Sequence, residues 1–402
     1  MTERRGAKSK ADGNSQSGTR LGSLVTSSTI VVTCGAGGVG KTTIAAAIGL
    51  GAAQNTERRV LVLTIDPAKR LAAALGLQSV GNSAVSIPLS GAKGSLAIAM
   101  LDTSASWDDL IRRISPDAAT TTKILANPLY RNITQRFVQS HDYVAMERLY
   151  ELRSQGLYDL IVIDTPPSRN ALDFLDAPQR MGDFFSSTLL KWITMPYRLG
   201  GKRAGRLGYL AAKPFYQVAD RVLGSAFLAD IAEFFLLFQS MYDGFVARAS
   251  WVGALLHEPG TAFVVISTPT ESPLQEAEFF LAELERRDLQ TGALVVNRTL
   301  PDLFLDDRSR RAAAELLDVV PIALGEAGLA GRGRGVGGAA AQQEHLLKAI
   351  AETFLRFADT AESQQRQLAK LAKVPETVVR IPLFEMPLAD VQGLRAVVDA
   401  IW

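Results

Sequence analysis

The chain has 402 residues, 47% of them hydrophobic and 21% charged, with a formal net charge of +2. That length suits one large α/β domain or two smaller ones, and so small a charge gives no electrostatic case for nucleic acid or an anionic membrane. The single cysteine, Cys34, excludes an internal disulfide and any metal site needing several thiolates from one chain, as expected in a reducing, cytoplasmic setting. The three histidines, His141, His257 and His345, stand far apart in sequence, so no histidine-rich metal centre is expected. No apolar run reaches the roughly 18–20 uncharged residues that span a bilayer. The best, Ala226 to Phe238, is broken by Asp230 and Glu233.

Residues 1–27 are rich in Ser, Gly, Lys and Arg and carry no apolar core of the secretory type. Their composition predicts a disordered basic tail, with residues 28–402 forming a single domain. The first strand is Thr29-Ile30-Val31-Val32-Thr33. It runs into Cys34-Gly35-Ala36-Gly37-Gly38-Val39-Gly40-Lys41-Thr42-Thr43 and then an alanine-rich helix. Strand, glycine-rich turn and helix, with G-x-x-x-x-G-K-T from Gly35 to Thr42, is the pattern of a phosphate-binding loop. Glycines let several backbone N–H groups converge on one phosphate, and the helix N-terminus adds partial positive charge. Gly35, Gly37, Gly38, Val39, Gly40, Lys41, Thr42 and Thr43 are the expected nucleotide-binding residues. Lys41 would reach the β- and γ-phosphates and Thr42 would ligate Mg²⁺.

The apolar run Arg59 to Ile65 ends in Asp66, followed by Pro67-Ala68 and a helix. A buried parallel strand would deliver that acid to the ligand-binding edge of the sheet. Ser95 to Asp102 reads as another strand. Helical spacing then dominates from Trp107 to Gly156. Tyr158 to Asp164 is a strand again, and four apolar residues ending in Asp164 form a Walker B pattern, an acid that holds Mg²⁺ directly or through water. Asp66, not required as a primary metal ligand, is the candidate to orient or deprotonate the attacking water. From Ala171 to about His257 the chain shows apolar residues at helical spacing and no strand pattern. Strands return at Thr261–Ser267 and Gly292–Asn297. A glycine-rich segment at about 329–341 reads as a flexible loop. A long helix from Gln342 leads to the short run Val378–Leu383 and a final helix. The fold expected is α/β, a doubly wound, mostly parallel sheet of the P-loop type with helical insertions at about 103–157 and 172–258.

These motifs, in this order, resemble the arsenite-pump ATPase family, which also contains the ATPase that targets tail-anchored membrane proteins. The family's deviant Walker A loop, GKGGVGKT, matches Gly35 to Thr42 apart from Ala36. Its TDPAxxL switch matches Ile65 to Leu71, with Ile65 in place of Thr. Its DTAPTGHTLRFL switch is similar to Asp164 to Leu175. Its adenine-reading VVN is Val295-Val296-Asn297, and its late PL element resembles Pro382-Leu383. The resemblance covers nearly everything from Thr29 onward. It implies an ATP- and Mg²⁺-dependent ATPase in which Lys41 and Asp66 serve catalysis, Thr42 and Asp164 manage the metal, and Asn297 and Pro382 bound the base. It further implies a cytoplasmic dimer, with peripheral membrane attachment left open, that handles an apolar client or drives a membrane or partner protein.

Three departures qualify that picture. Ala36 replaces the lysine that, in the family, reaches the nucleotide of the partner subunit. Catalysis is then slow or absent, or Lys69, Arg70 or Arg169 substitutes, or a paralogue bearing the lysine completes a heterodimer; we favour the last, because Thr42, Asp66 and Asp164 are all retained. No CxxC zinc motif is present, so no zinc is expected, and arsenite, which needs several thiols, is poorly supported as substrate. The apolar run Phe227 to Phe245 reads first as core; a groove for apolar segments is the sharper alternative. A non-hydrolysing, ATP-binding regulatory subunit of a hetero-oligomer is the alternative function. A DNA- or membrane-bound partitioning ATPase is disfavoured by the near-neutral charge and by the absence of a C-terminal basic amphipathic helix.

Overall fold

The computed structural model describes residues 21–65, 82–127, 130, 140–166, 176, 225–326, 336–372, 374–384 and 391–402. Within them, eight strands form one sheet in the order β3-β4-β2-β5-β1-β6-β7-β8. The strands are β1 (Ile30–Gly35), β2 (Arg59–Thr64), β3 (Val85–Ile87), β4 (Ser95–Met100), β5 (Leu160–Asp164), β6 (Thr261–Ser267), β7 (Thr291–Thr299) and β8 (Val378–Pro382). All neighbours are parallel except β3, which pairs antiparallel with β4 at one edge.

The central strands are apolar on both faces, and their alternation sorts the core into two layers. Ile30, Val32, Cys34, Leu61, Leu63, Ile161 and Ile163 belong to one buried cluster. Val31, Val60, Val62, Leu160 and Val162 belong to the other. A period of two sends neighbouring side chains to opposite faces. Helices cover both faces, as an all-parallel centre requires. One layer holds α2 (Lys41–Asn55) and, at the end of the chain, α10 (Val391–Ile401). The other holds α3 (Thr103–Ile114), α4 (Ala118–Ala126), α5 (Ser140–Ser154), α6 (Ser225–Leu256) and α7 (Glu271–Arg286). Helices α8 (Asp307–Glu326) and α9 (Val336–Ala369) pair with each other beyond β7.

β1 lies between β5 and β6, where the strand order reverses. That switch point opens a crevice at the C-terminal ends of the strands, the place where such sheets bind ligands. The long insertion helix α6 contacts α5 and α4. Phe245 packs on Trp107 with ring centroids 6.1 Å apart, and Phe234 packs on Tyr130 at 6.5 Å. Phe234, Phe235 and Phe245 are therefore core. Residues 177–224 of the second insertion lie outside the described residues.

Two boundaries differ from the sequence reading. Residues 21–27 form a helix, α1, not the end of a structureless tail. Leu21 and Val25 are fully buried, and the Leu24 side chain lies against Gly292. Three apolar side chains at helical spacing outweigh a Ser- and Lys-rich composition averaged over the segment. Likewise, the glycine-rich loop expected to reach 341 has given way to helix α9 by Val336. Ala339 to Ala341 and the residues that follow favour helix more than Gly337 and Gly338 oppose it.

Candidate nucleotide-binding site

The site is built on the end of β1. Gly35 has φ +148, and a Cβ there would lie 2.1 Å from the Ile266 carbonyl oxygen of β6, so no larger residue fits without moving that strand. The chain turns through 36–40, with Gly37 and Gly38 exposed at the tip and Val39 buried below. Gly40, at φ +97, caps the N-terminus of α2. Lys41 is 7% exposed, and its ammonium donates to the carbonyls of Gly35 at 3.0 Å and Ala36 at 2.9 Å. The lysine thus folds back along its own loop, and its positive charge sits where the loop would cradle a phosphate. Thr43 follows in the first turn of α2, and the N–H groups of that turn face outward for want of intrahelical acceptors.

Across the crevice, Asp164 closes β5 and is fully buried. Thr42 donates its hydroxyl to Asp164 Oδ2 at 2.7 Å, and Thr64 at the end of β2 donates to the same oxygen at 3.0 Å. Neighbouring threonines extend the frame. Thr33 donates to the Ile163 carbonyl at 3.1 Å, and Thr165 donates to the Thr33 carbonyl at 2.7 Å. Thr165 belongs to the expected Asp164 switch, whereas Thr64 was not singled out by sequence reasoning; its available sign was a hydroxyl at the last position of a mostly apolar strand. Ile65 N donates to the Asp164 carbonyl at 2.9 Å, which carries the β2 pairing up to the edge of the site. Asp66, Lys69 and Arg70 follow directly, and they and Arg169 lie outside the described residues.

These donors fit Mg²⁺. A carboxylate and a hydroxyl, both hard oxygens, stand 2.7 Å apart at the mouth of a cationic loop. Among the described residues no three His, Cys, Asp or Glu side chains converge as an all-protein cage. Magnesium commonly takes one or two protein oxygens and completes its shell with water and phosphate. Cys34 is fully buried beside the loop, and burial pushes its thiol up to about 12, with the nearby Lys41 charge opposing that shift. It is a small apolar core residue here, not a nucleophile.

The far end of the crevice is made by β7 and β8, where Asn297 faces Ile381 and Thr299 faces Pro382 in register. Asn297 is buried, and its side chain points at the loop: Nδ2 donates to the Val39 carbonyl at 2.8 Å. The structure therefore brings Gly35 to Thr43, Asp164 and Asn297 to one crevice, with Pro382 on the strand beside Asn297.

Residues 28–203 match the protein family described as anion-transporting ATPase. The chain is 30% identical to an uncharacterized protein of Streptomyces coelicolor over 278 residues, 68% of this chain and 63% of that one. It is 26% identical to a putative arsenical pump-driving ATPase of Aquifex aeolicus over 282 residues, 68% of this chain and 64% of that one. It is 24% identical to the ATPase GET3 of Malassezia globosa over 266 residues, covering 66% and 71%. The chain thus spans less than two thirds of the length of the first two relatives. The phosphate-type loop, the buried Asp164 at the end of β5 and the parallel sheet order agree with that family match, and the chain is similar over about two thirds of its length to an arsenical pump-driving ATPase and to GET3.

Proposed function

We propose that this chain binds ATP with Mg²⁺ and hydrolyses it, using nucleotide state to drive a dimer that handles an apolar client or a membrane or partner protein. The observation that carries the reading is the 2.7 Å bond between Thr42 and Asp164, which joins the phosphate loop to the Walker B strand. A bound Mg²⁺ would supply charge neutralisation on the β- and γ-phosphate oxygens. Thr42 and Asp164 would hold it, Asp164 through water. Lys41 would exchange its loop carbonyls for phosphate oxygens, a stronger, charge-assisted partner. Asp66, one residue beyond Ile65 at the end of β2, would orient the attacking water, and Asn297 and Pro382 would bound the adenine. We place this work in the cytoplasm; among the described residues no helix is long and apolar enough to cross a membrane.

One observation favours a second reading. At the loop position where the family carries a lysine, this chain has Ala36, a half-buried methyl group that packs on the core. A regulatory subunit that binds ATP without turning it over, in a complex with a lysine-bearing paralogue, needs no more than that. Steady-state turnover of the purified chain, alone and mixed with such a paralogue, decides between the two. Turnover alone supports the first, turnover only in the mixture supports a shared site, and binding without turnover in either supports the regulatory subunit. Failure to bind Mg-ATP at all sinks both.

A further inference from the structure

Both halves of the Asn297 amide are committed to protein partners. Its Nδ2 donates to the Val39 carbonyl at 2.8 Å, and its Oδ1 accepts from the Arg298 N–H at 2.9 Å. Only the NH₂ end can donate to a carbonyl and only the oxygen can accept from an N–H, so the two bonds fix the orientation of the amide. Arg298 is at φ +60, a left-handed conformation that is uncommon for a residue with a side chain, and the β7–β8 register shifts between Asn297 and Thr299. That local turn presents the Arg298 N–H to Asn297. On the loop side, a Cβ on Gly40 would lie 2.4 Å from Nδ2, so the missing side chain of Gly40 is what leaves room for the amide.

We infer that Asn297 is a positioning residue of the phosphate loop, one that acts on phosphate binding whichever base the nucleotide carries. The inference rests on the nucleotide reading above. The Val39–Gly40 peptide is planar and trans, so its C=O and N–H point in opposite directions. With the Val39 carbonyl held outward on Asn297, the Gly40 N–H is turned away from Asn297, to the side where a phosphate would sit. The loop is then set for an anion before one arrives, and binding need not first order that peptide. A role confined to the adenine edge would leave the loop indifferent to this side chain.

The test is isothermal titration of the full chain with Mg²⁺ and each of ATP, GTP and base-free tripolyphosphate, in wild type, Asn297→Ala and Asn297→Gln. The expected result is a loss in Asn297→Ala of roughly tenfold for all three ligands, with the ATP-to-GTP ratio nearly unchanged. Asn297→Gln, which keeps the amide, should recover part of the tripolyphosphate affinity. General damage to the fold would instead follow the melting temperature of the ligand-free protein in both variants. If tripolyphosphate binds Asn297→Ala as it binds wild type while the ATP-to-GTP ratio shifts, Asn297 reads the base alone and the inference fails with the nucleotide reading intact. Should Asn297→Ala not fold, Asn297→Gln carries the same comparison: a changed ratio with unchanged tripolyphosphate binding overturns the inference. Wild type that binds none of the three overturns both.

Discussion

Thr42 and Asp164 are 122 positions apart in sequence, and the Thr42 hydroxyl donates to Asp164 Oδ2 at 2.7 Å. The bond spans the two motifs that the nucleotide reading needs side by side. Because Thr64 donates to the same oxygen, Asp164 is held by hydroxyls from α2 and β2 and has little freedom to rotate. Asp164→Asn keeps the shape and removes the charge. It should lower the Mg²⁺ affinity of the nucleotide-bound protein by roughly 10- to 100-fold. A magnesium titration of nucleotide binding and turnover reads this directly. An unchanged magnesium dependence would mean that Asp164 only braces the sheet edge.

Cys34 tests the interior of β1, the strand that leads into the phosphate loop. Burial raises its thiol to about 12, so the folded state disfavours the thiolate. A group whose folded value lies above its unfolded value stabilises the fold below the unfolded value and loses that contribution as the pH climbs. Stability should therefore be flat in this term up to about pH 8.5, the ordinary cysteine value, and decline above it. Native protein should also resist maleimide at pH 8 and react only after denaturation. Prompt labelling of the native chain would contradict the burial.

The sheet was legible because its strands are runs of branched apolar residues, and the site because Gly35 to Thr42 must be contiguous to work. Other features were not legible, each for a physical reason. β3 is three residues long and pairs at an edge, so it carries no pattern of its own. Thr64 reads as one more strand residue until the fold places it 3.0 Å from Asp164. Asn297 was legible as a residue type at a strand end. Its grip on Val39 depends on a contact 258 positions away and could not be read from spacing. Helix α1 was hidden by composition, since Leu21, Leu24 and Val25 are a few apolar residues in a polar segment until the fold packs them into the core layer that also holds α2 and α10.

In the helical layer, Glu147 is 5% exposed at its side chain and pairs with Arg248 at 2.8 Å. Burial pushes the Glu147 carboxyl up while the Arg248 guanidinium pulls it back, and the balance remains above the usual carboxylate range. Arg248→Met removes the ion pair that opposes this shift and strands the carboxylate, which should cost about 3–5 kcal/mol. The double variant Glu147→Leu/Arg248→Met should recover most of that loss. The single variant should also become more stable as pH falls from 7 toward 5, because the folded state then takes up a proton before the unfolded state does. Urea denaturation of the three proteins at both pH values measures all of this. A double variant no better than the single one would show that shape, not charge, limits the site.

Gly51 sits inside α2, where glycine costs about 1 kcal/mol relative to alanine, so Gly51→Ala should stabilise if the helix alone mattered. It does not stand alone. A Cβ on Gly51 would lie 1.7 Å from Trp402 Nε1 and 2.5 Å from Trp402 Cδ1, and the other end of that indole lies over Gly22. The ring fills the groove between α1 and α2 and cannot shift without losing one contact or the other. We therefore expect Gly51→Ala to destabilise by roughly 1–3 kcal/mol, the usual range for overpacking. With Trp402→Ala in the background, the same change should become neutral or favourable. Denaturant melts followed by circular dichroism give both numbers, and a stabilised Gly51→Ala single variant would show that the indole moves freely.

Ala36 carries the sharpest functional prediction. Its carbonyl already accepts from Lys41 at 2.9 Å, so the loop backbone is in order, and what the position lacks is a second cation. If that cation limits a homodimer, Ala36→Lys should raise ATP turnover of the chain alone by at least about tenfold, toward the 10³ to 10⁵ that a finger residue supplies in trans. The gain should vanish in Ala36→Lys/Lys41→Ala, whose own loop cannot hold the phosphates. Mixing these two variants with wild type then locates the donor. Wild type with Ala36→Lys/Lys41→Ala should turn over faster than wild type alone, because the inactive loop still lends its lysine to an intact site opposite. Turnover that Ala36→Lys leaves unchanged, with ATP binding intact, would move the weight to the regulatory-subunit reading, since a chain built to hydrolyse should respond to the one charge it lacks.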